Sequence, residues 1–205
     1  ACCGGCNLID KINPDIPRYA NDYNEYIYSM WVELQKGWKP KIISKEEYNH
    51  IQQNKQLYKP FEVGYYGISA SYSGTWFSGY AGEILTKEGI KRNYQKECER
   101  NVQKQLLNLG DVYFSNSSVI DIKPNQKALI YCDIPYKNTA KYKDEFPYEE
   151  FYKWCKEMKK EGHTIFISEY NMPSDFKEVW SQEINHSLSK AVGGNKKATE
   201  KLFTL

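Results

Sequence analysis

The chain has 205 residues, 40% of them hydrophobic and 26% charged, which suits one large domain or a core domain carrying an insertion. Its 28 Lys and Arg against 26 Asp and Glu leave a net charge of +2, a balance that by itself points to no polyanionic partner. An aromatic content of 15%, with 18 tyrosines outnumbering 8 Phe and 5 Trp together, excludes a wholly disordered chain. Tyrosine at that density builds a core or a surface that stacks on flat, polar ligands. No apolar run reaches about 18 residues and nothing at the start reads as a signal peptide, so no membrane association is expected. Cys2, Cys3 and Cys6 are bunched, and Cys98, Cys132 and Cys155 are scattered singly. That is not the framework of a small secreted protein, and it predicts a reducing, cytoplasmic setting. The chain starts Ala1-Cys2-Cys3-Gly4-Gly5-Cys6, without Met and in mid-element, which reads as an N-terminally truncated fragment.

A glycine turn, an apolar stretch (Leu8, Ile9, Ile12) and Tyr19-Ala20-Asn21-Asp22 have the character of half a nucleotide-binding α/β unit. Helical spacing follows from Asn24 to Trp38 through Tyr26, Ile27, Met30, Trp31 and Leu34, and Ser44 before Glu46 and Glu47 marks another helix start. The stretch from Phe61 to Gly82 interleaves small residues with aromatics and predicts loops with short turns. Lys91 to Leu109 returns to helical spacing. A short strand over Val112-Tyr113-Phe114, an apolar strand from Ala128 to Cys132, a helix from Tyr148 to Lys160 and a strand from His163 to Ser168 then predict a parallel βαβ unit. The tail offers a further apolar stretch, Val179 to Ile184, and a Lys-rich end from Gly193 to Leu205.

The strand Ala128–Cys132 runs into Asp133-Ile134-Pro135-Tyr136, and ligands of open α/β sheets sit at the carboxyl ends of strands. A carboxylate, a stiffened backbone and an aromatic ring can grip an amino-substituted planar ring. The competing reading is an ordinary strand-end turn, where Asp and Pro are common.

Asp133-Ile134-Pro135-Tyr136-Lys137-Asn138-Thr139 resembles the D-P-P-Y-x-x-T block of the Dam-type adenine-specific DNA methyltransferases, and other segments resemble that family in the same order. Cys3-Gly4-Gly5-Cys6-Asn7 is similar to the cofactor loop, and Ala20-Asn21-Asp22-Tyr23-Asn24 to the A-N-D-x-N block after it. Ser71 to Ala81 is similar to the S-F-G-G-K-W-F-G-G-Y-A segment of phage and prophage members, and Phe166 to Asn171 to the strand-end S-x-Y. Ile134 replaces a proline, Cys2 a phenylalanine and Cys6 a glycine, and the family's preceding strand and glycine- and lysine-containing segment are expected to be missing from a truncated start.

The resemblance implies a Rossmann-like α/β methyltransferase fold with a mostly parallel sheet. Residues 1–30 and 111–205 would form the catalytic domain, and 31–110 a largely helical or loop insertion that recognises the DNA target. It implies transfer of a methyl group from S-adenosyl-L-methionine to the exocyclic amino group of an adenine flipped out of double-stranded DNA, within a restriction-modification or phage-modification system. Asp133 would accept a hydrogen bond from that amino group, a backbone carbonyl at Ile134–Pro135 a second, and Tyr136 would stack on the base. Cys3, Gly4, Gly5 and Cys6 would approach the cofactor, with Asp22, 17 residues after Gly5, on its ribose and Asp133 nearby. Asp133 is expected at the end of a central strand, lining one crevice with Gly4, Gly5 and Asp22. Arg92, Arg100 and Lys91 are candidates for phosphate or base contacts, against the alternative of a solvated helix face. For Tyr72 and Trp76, with Phe77 and Tyr80, stacking on DNA competes with packing. A redox or zinc pair at Cys3 and Cys6 is the other reading of the glycine turn, and no metal is expected because the histidines show no matching spacing. A monomer is expected. Without a preceding strand the turn is expected to fray and to hold cofactor weakly. The alternatives to a working enzyme are a DNA-binding remnant without turnover and a methyltransferase for RNA or a small substrate.

Overall fold

The computed structural model describes residues 1–137, 146–185 and 197–205. Asn138 and Thr139, the end of the Asp133 motif, lie outside them. The fold is mixed α/β, with five α-helices and both parallel and antiparallel strand pairs among the described residues. It divides into two compact units: Cys3–Ser117, and Ser118–Leu205 with Ala1–Cys2.

In the first unit, strand β1 (Tyr19–Asn21) pairs in parallel with β4 (Tyr113–Ser115). Helix α1 (Glu25–Gln35) begins where the Asn24 side chain accepts a hydrogen bond from the Tyr26 N–H. It buries Ile27, Met30, Trp31 and Leu34, the apolar stripe read from its spacing. Helix α2 (Lys45–Gln53) is capped by Ser44, whose Oγ accepts from the Glu47 N–H at 3.2 Å, as its sequence predicts.

Pro60–Ser69, expected as loop, is a helix, α3. Pro60 occupies the first turn, and the Glu62 carboxylate accepts from the Lys59 N–H at 3.2 Å. Its small residues are packing surfaces rather than breakers. A Cβ on Gly64 would lie 2.1 Å from the Tyr26 carbonyl oxygen, so only glycine lets α3 come this close to α1. The aromatics beyond it also pack. Trp76 covers Gly67, where a Cβ would meet its ring at 2.6 Å, and Tyr80 donates to the Ile43 carbonyl at 2.8 Å.

Strands β2 (Glu83–Leu85) and β3 (Lys91–Asn93) form an antiparallel hairpin leading into α4 (Tyr94–Leu106), whose first turn Asn93 caps. The buried Gln95 amide exchanges two hydrogen bonds with the backbone of Ile43, at 3.1 and 3.0 Å, so it sits in the interior with its polar atoms satisfied. Residues 3–30 thus share one compact unit with residues 31–110.

In the second unit the strand order is β5-β6-β8-β7, with β5 at Leu129–Asp133, β6 at Thr164–Glu169, β7 at Lys177–Asn185 and β8 at Lys197–Thr204. The expected βαβ unit is present: β5 and β6 are parallel and connected through α5 (Tyr148–Lys160). That helix buries Phe151, Tyr152, Trp154, Cys155 and Met158 and ends at Gly162, whose φ of +91° suits glycine. Strand β8 runs antiparallel to both β6 and β7, so this sheet is mixed rather than mostly parallel. Ile130, Cys132, Ile165, Ile167 and Phe203 meet α5 in its core.

Candidate functional site

The β5–β6 ladder is in register from Leu129 opposite Thr164 to Asp133 opposite Ser168. Parallel pairing therefore brings two sequence-distant motifs, Asp133-Ile134-Pro135-Tyr136 and Ser168-Glu169-Tyr170, to adjacent carboxyl ends. The Tyr136 hydroxyl and Ser168 Oγ are hydrogen-bonded at 2.5 Å, and the Tyr136 ring meets Tyr170 edge to face with centroids 4.6 Å apart. Burial pushes the Tyr136 phenol up to about 12, so it keeps its proton throughout the neutral range.

Ile134 is 2% exposed, and its side chain packs into the core in the position where the resembling block has proline. The Pro135 carbonyl accepts from the Tyr148 hydroxyl at 2.8 Å. Glu169, to which the sequence reading assigned no role, is buried with 1% exposure. One carboxylate oxygen accepts from the Lys137 N–H at 2.8 Å and the other from the Tyr170 N–H at 2.6 Å. It fastens the segment after β5 to the end of β6. Glu169→Ala should leave both N–H groups without that partner and cost about 2 kcal/mol in urea unfolding, and an unchanged midpoint would remove the fastening role.

Asp133 stands at the end of β5, an edge strand of its sheet among the described residues rather than the central strand expected, and reaches solvent, yet its carboxyl pKa is raised, first by partial burial and then by the Glu200 carboxylate. A folded-state pKa above the unfolded one stabilises the fold at low pH, and that contribution is lost as pH rises through the folded value. Asp133→Asn should therefore raise the thermal midpoint at neutral pH, the difference disappearing below about pH 4, the unfolded carboxyl range. A lower midpoint at neutral pH would contradict the strained placement of this charge.

In the other unit, the glycine turn is anchored from several sides. The Cys3 N–H donates to the Asn21 carbonyl at 2.8 Å, and the Gly4 N–H to Asp22 Oδ2 at 2.8 Å. Trp31 Nε1 donates to the Gly4 carbonyl at 2.8 Å and Gln105 Nε2 to the Gly5 carbonyl at 3.0 Å. The expectation of fraying is corrected by these bonds, which a chain-order argument could not foresee. The second Asp22 oxygen accepts from the Asn24 N–H at 2.9 Å, so this acid organises the turn itself. Its pKa is raised by burial, against the lowering effect of those two backbone bonds. Gly4 has a φ of +45° and open space where a Cβ would point, leaving its backbone approachable.

Among the DNA-contact candidates, Lys91, Arg92 and Arg100 line one groove of about 540 Å³ with Lys96, Glu83 and Glu97. Arg92 is engaged bidentately by Glu97, at 2.9 and 2.5 Å, and lies over the Tyr94 ring; Lys91 pairs with Glu83 at 3.4 Å. Tyr72 is 62% exposed, whereas Trp76 stacks on Tyr26 and abuts Phe77. No group of three His, Cys, Asp or Glu side chains among the described residues is placed to hold a metal ion, and none of their helices is long and apolar enough to cross a membrane. No protein-family model matches the chain, and no curated protein matches it.

Proposed function

We propose that the chain is an S-adenosylmethionine-dependent methyltransferase acting on the exocyclic amino group of adenine in double-stranded DNA. The observation that carries this reading is the meeting of Asp133 and Tyr136 with Ser168 and Tyr170 at the carboxyl ends of two adjacent parallel strands. A carboxylate beside fixed aromatic rings suits a flat ligand that carries an amino group.

In this reading the Asp133 carboxylate accepts a hydrogen bond from the adenine amino group and keeps the nitrogen lone pair free to attack. Tyr136, held through its hydroxyl by Ser168, offers a ring face to a base rotated out of the duplex. Glu169 keeps the two motifs at fixed spacing through the Lys137 and Tyr170 amides. Such a site acts by positioning and local electrostatics. The cofactor supplies the electrophilic methyl group when bound. The residues of the glycine turn fit it: Gly4 is open above its backbone, and the Asp22 carboxylate keeps acceptor capacity beyond its two backbone bonds. Arg92, Arg100, Lys91 and Tyr72 are the proposed DNA-contacting side chains.

Calorimetric titration of S-adenosylmethionine into residues 1–205 tests the cofactor half of this reading. Saturable micromolar binding that Asp22→Ala weakens is the expected result. DNA binding with no cofactor heat would contradict it and identify a DNA-binding protein without turnover.

A further inference from the structure

Cys3-Gly4-Gly5-Cys6 forms a turn closed by the Cys6 N–H donating to the Cys3 carbonyl at 2.7 Å. Such a turn holds its first and fourth Cα atoms within about 7 Å, the range over which a disulfide closes. The Cys3 sulfur is close enough to the Cys6 thiol to raise its pKa. Cys3 is half-buried, while Cys6 is 2% exposed. Cys3 also lowers the Asp22 pKa, which puts its thiol beside that carboxylate.

Cys6 has a φ of +54° and Cys2 one of +56°, both in the left-handed region where a side chain costs about 1 kcal/mol.

We propose that Cys3 and Cys6 are a reversible dithiol–disulfide couple that exchanges with low-molecular-weight disulfides of the glutathione class. Cys3, the more accessible sulfur, gives its proton to the neighbouring Asp22 carboxylate and attacks one sulfur of the external disulfide. The external S–S bond breaks, a mixed disulfide forms on Cys3, and the first thiol leaves with the proton passed on from Asp22. Cys6, already near the Cys3 sulfur, then attacks it, closing the Cys3–Cys6 bond, and the Cys6 proton leaves on the second thiol. Two protein thiols are oxidised and one external disulfide is reduced to two thiols, so atoms and electrons balance.

The order of attack follows from the surroundings. The Cys6 pKa is raised by the nearby Cys3 and by burial, so Cys6 holds its proton until Cys3 has reacted. Closing the bridge removes the Cys3 thiol proton from beside Asp22. Any effect of the bridge on cofactor binding at Asp22 rests on the methyl-transfer reading; the exchange itself does not.

The test is to equilibrate the native chain with oxidised glutathione, alkylate the remaining thiols and map the tryptic peptide ending at Lys11. The expected product carries a Cys3–Cys6 bond with Cys2 alkylated, and the buried Cys132 and Cys155 stay reduced. In Cys6→Ser the reaction should halt with glutathione on Cys3, and Cys6→Ala serves as a second variant for the same readout. Free thiols at both positions, a bridge through Cys2, glutathione retained on wild-type Cys3, or equal oxidation of all the cysteines would overturn the proposal. Each of these outcomes is read without cofactor or DNA, so failure of the couple is distinct from failure of the methyltransferase reading.

Discussion

On the proposed function, Asp133→Ala is expected to lower methyl transfer to duplex DNA to background, a loss of roughly a thousandfold, the scale on which removing one well-placed polar group acts on a transition state. The carboxylate contributes at the target amino group and nowhere else in the proposed reaction. In that reading DNA affinity would come mostly from phosphates, so a gel-shift isotherm on the same variant should move only by a small factor. The two readouts belong together. Loss of both would point to a folding defect, and retention of turnover would remove Asp133 from its role. Asp133→Asn keeps the shape and loses the charge, and since it is expected to raise stability at neutral pH, its loss of transfer cannot be ascribed to unfolding.

The second large effect is structural. Gly64→Ala places a Cβ 2.1 Å from the Tyr26 carbonyl oxygen and 3.1 Å from Met30 Cβ. The nearer obstacle is backbone, so no rotamer change relieves it and α3 must move off α1. Overpacking of this kind costs about 3 kcal/mol, which lowers the thermal midpoint by roughly 10 °C. Gly110→Ala is the matched control: nothing lies within 4 Å of its Cβ position and its φ is outside the left-handed region. It should leave stability unchanged or raise it by about 0.5 kcal/mol through the unfolded state. Equal midpoints for Gly64→Ala and the wild type would refute the close crossing of these helices.

The same glycine shows where the sequence could be read and where it could not. Helices α1 and α5 were legible because each has one apolar stripe and a polar back. Helix α3 was not, because Val63, Gly64, Tyr65, Tyr66 and Gly67 are all buried and no amphipathic period survives. Strand β8 was hidden in a Lys-rich tail, and its antiparallel placement between β6 and β7 depends on pairings far apart in sequence. At the candidate site, the aspartate at the end of an apolar strand was visible as a motif. Glu169 was not, since a buried carboxylate that binds two backbone amides looks in sequence like any surface acid. Arg92 was singled out for its guanidinium, but its bidentate partner Glu97 lies across the junction of β3 and α4, outside the helical spacing rules.

Incubation of residues 1–205 with S-adenosylmethionine labelled in its methyl group and with unmethylated duplex DNA, followed by digestion to nucleosides, tests the central claim most directly. The label is predicted to elute as N6-methyldeoxyadenosine from the wild type and to be absent from Asp133→Ala. Label on cytosine, or no DNA label from a chain that binds both cofactor and DNA, would contradict the account.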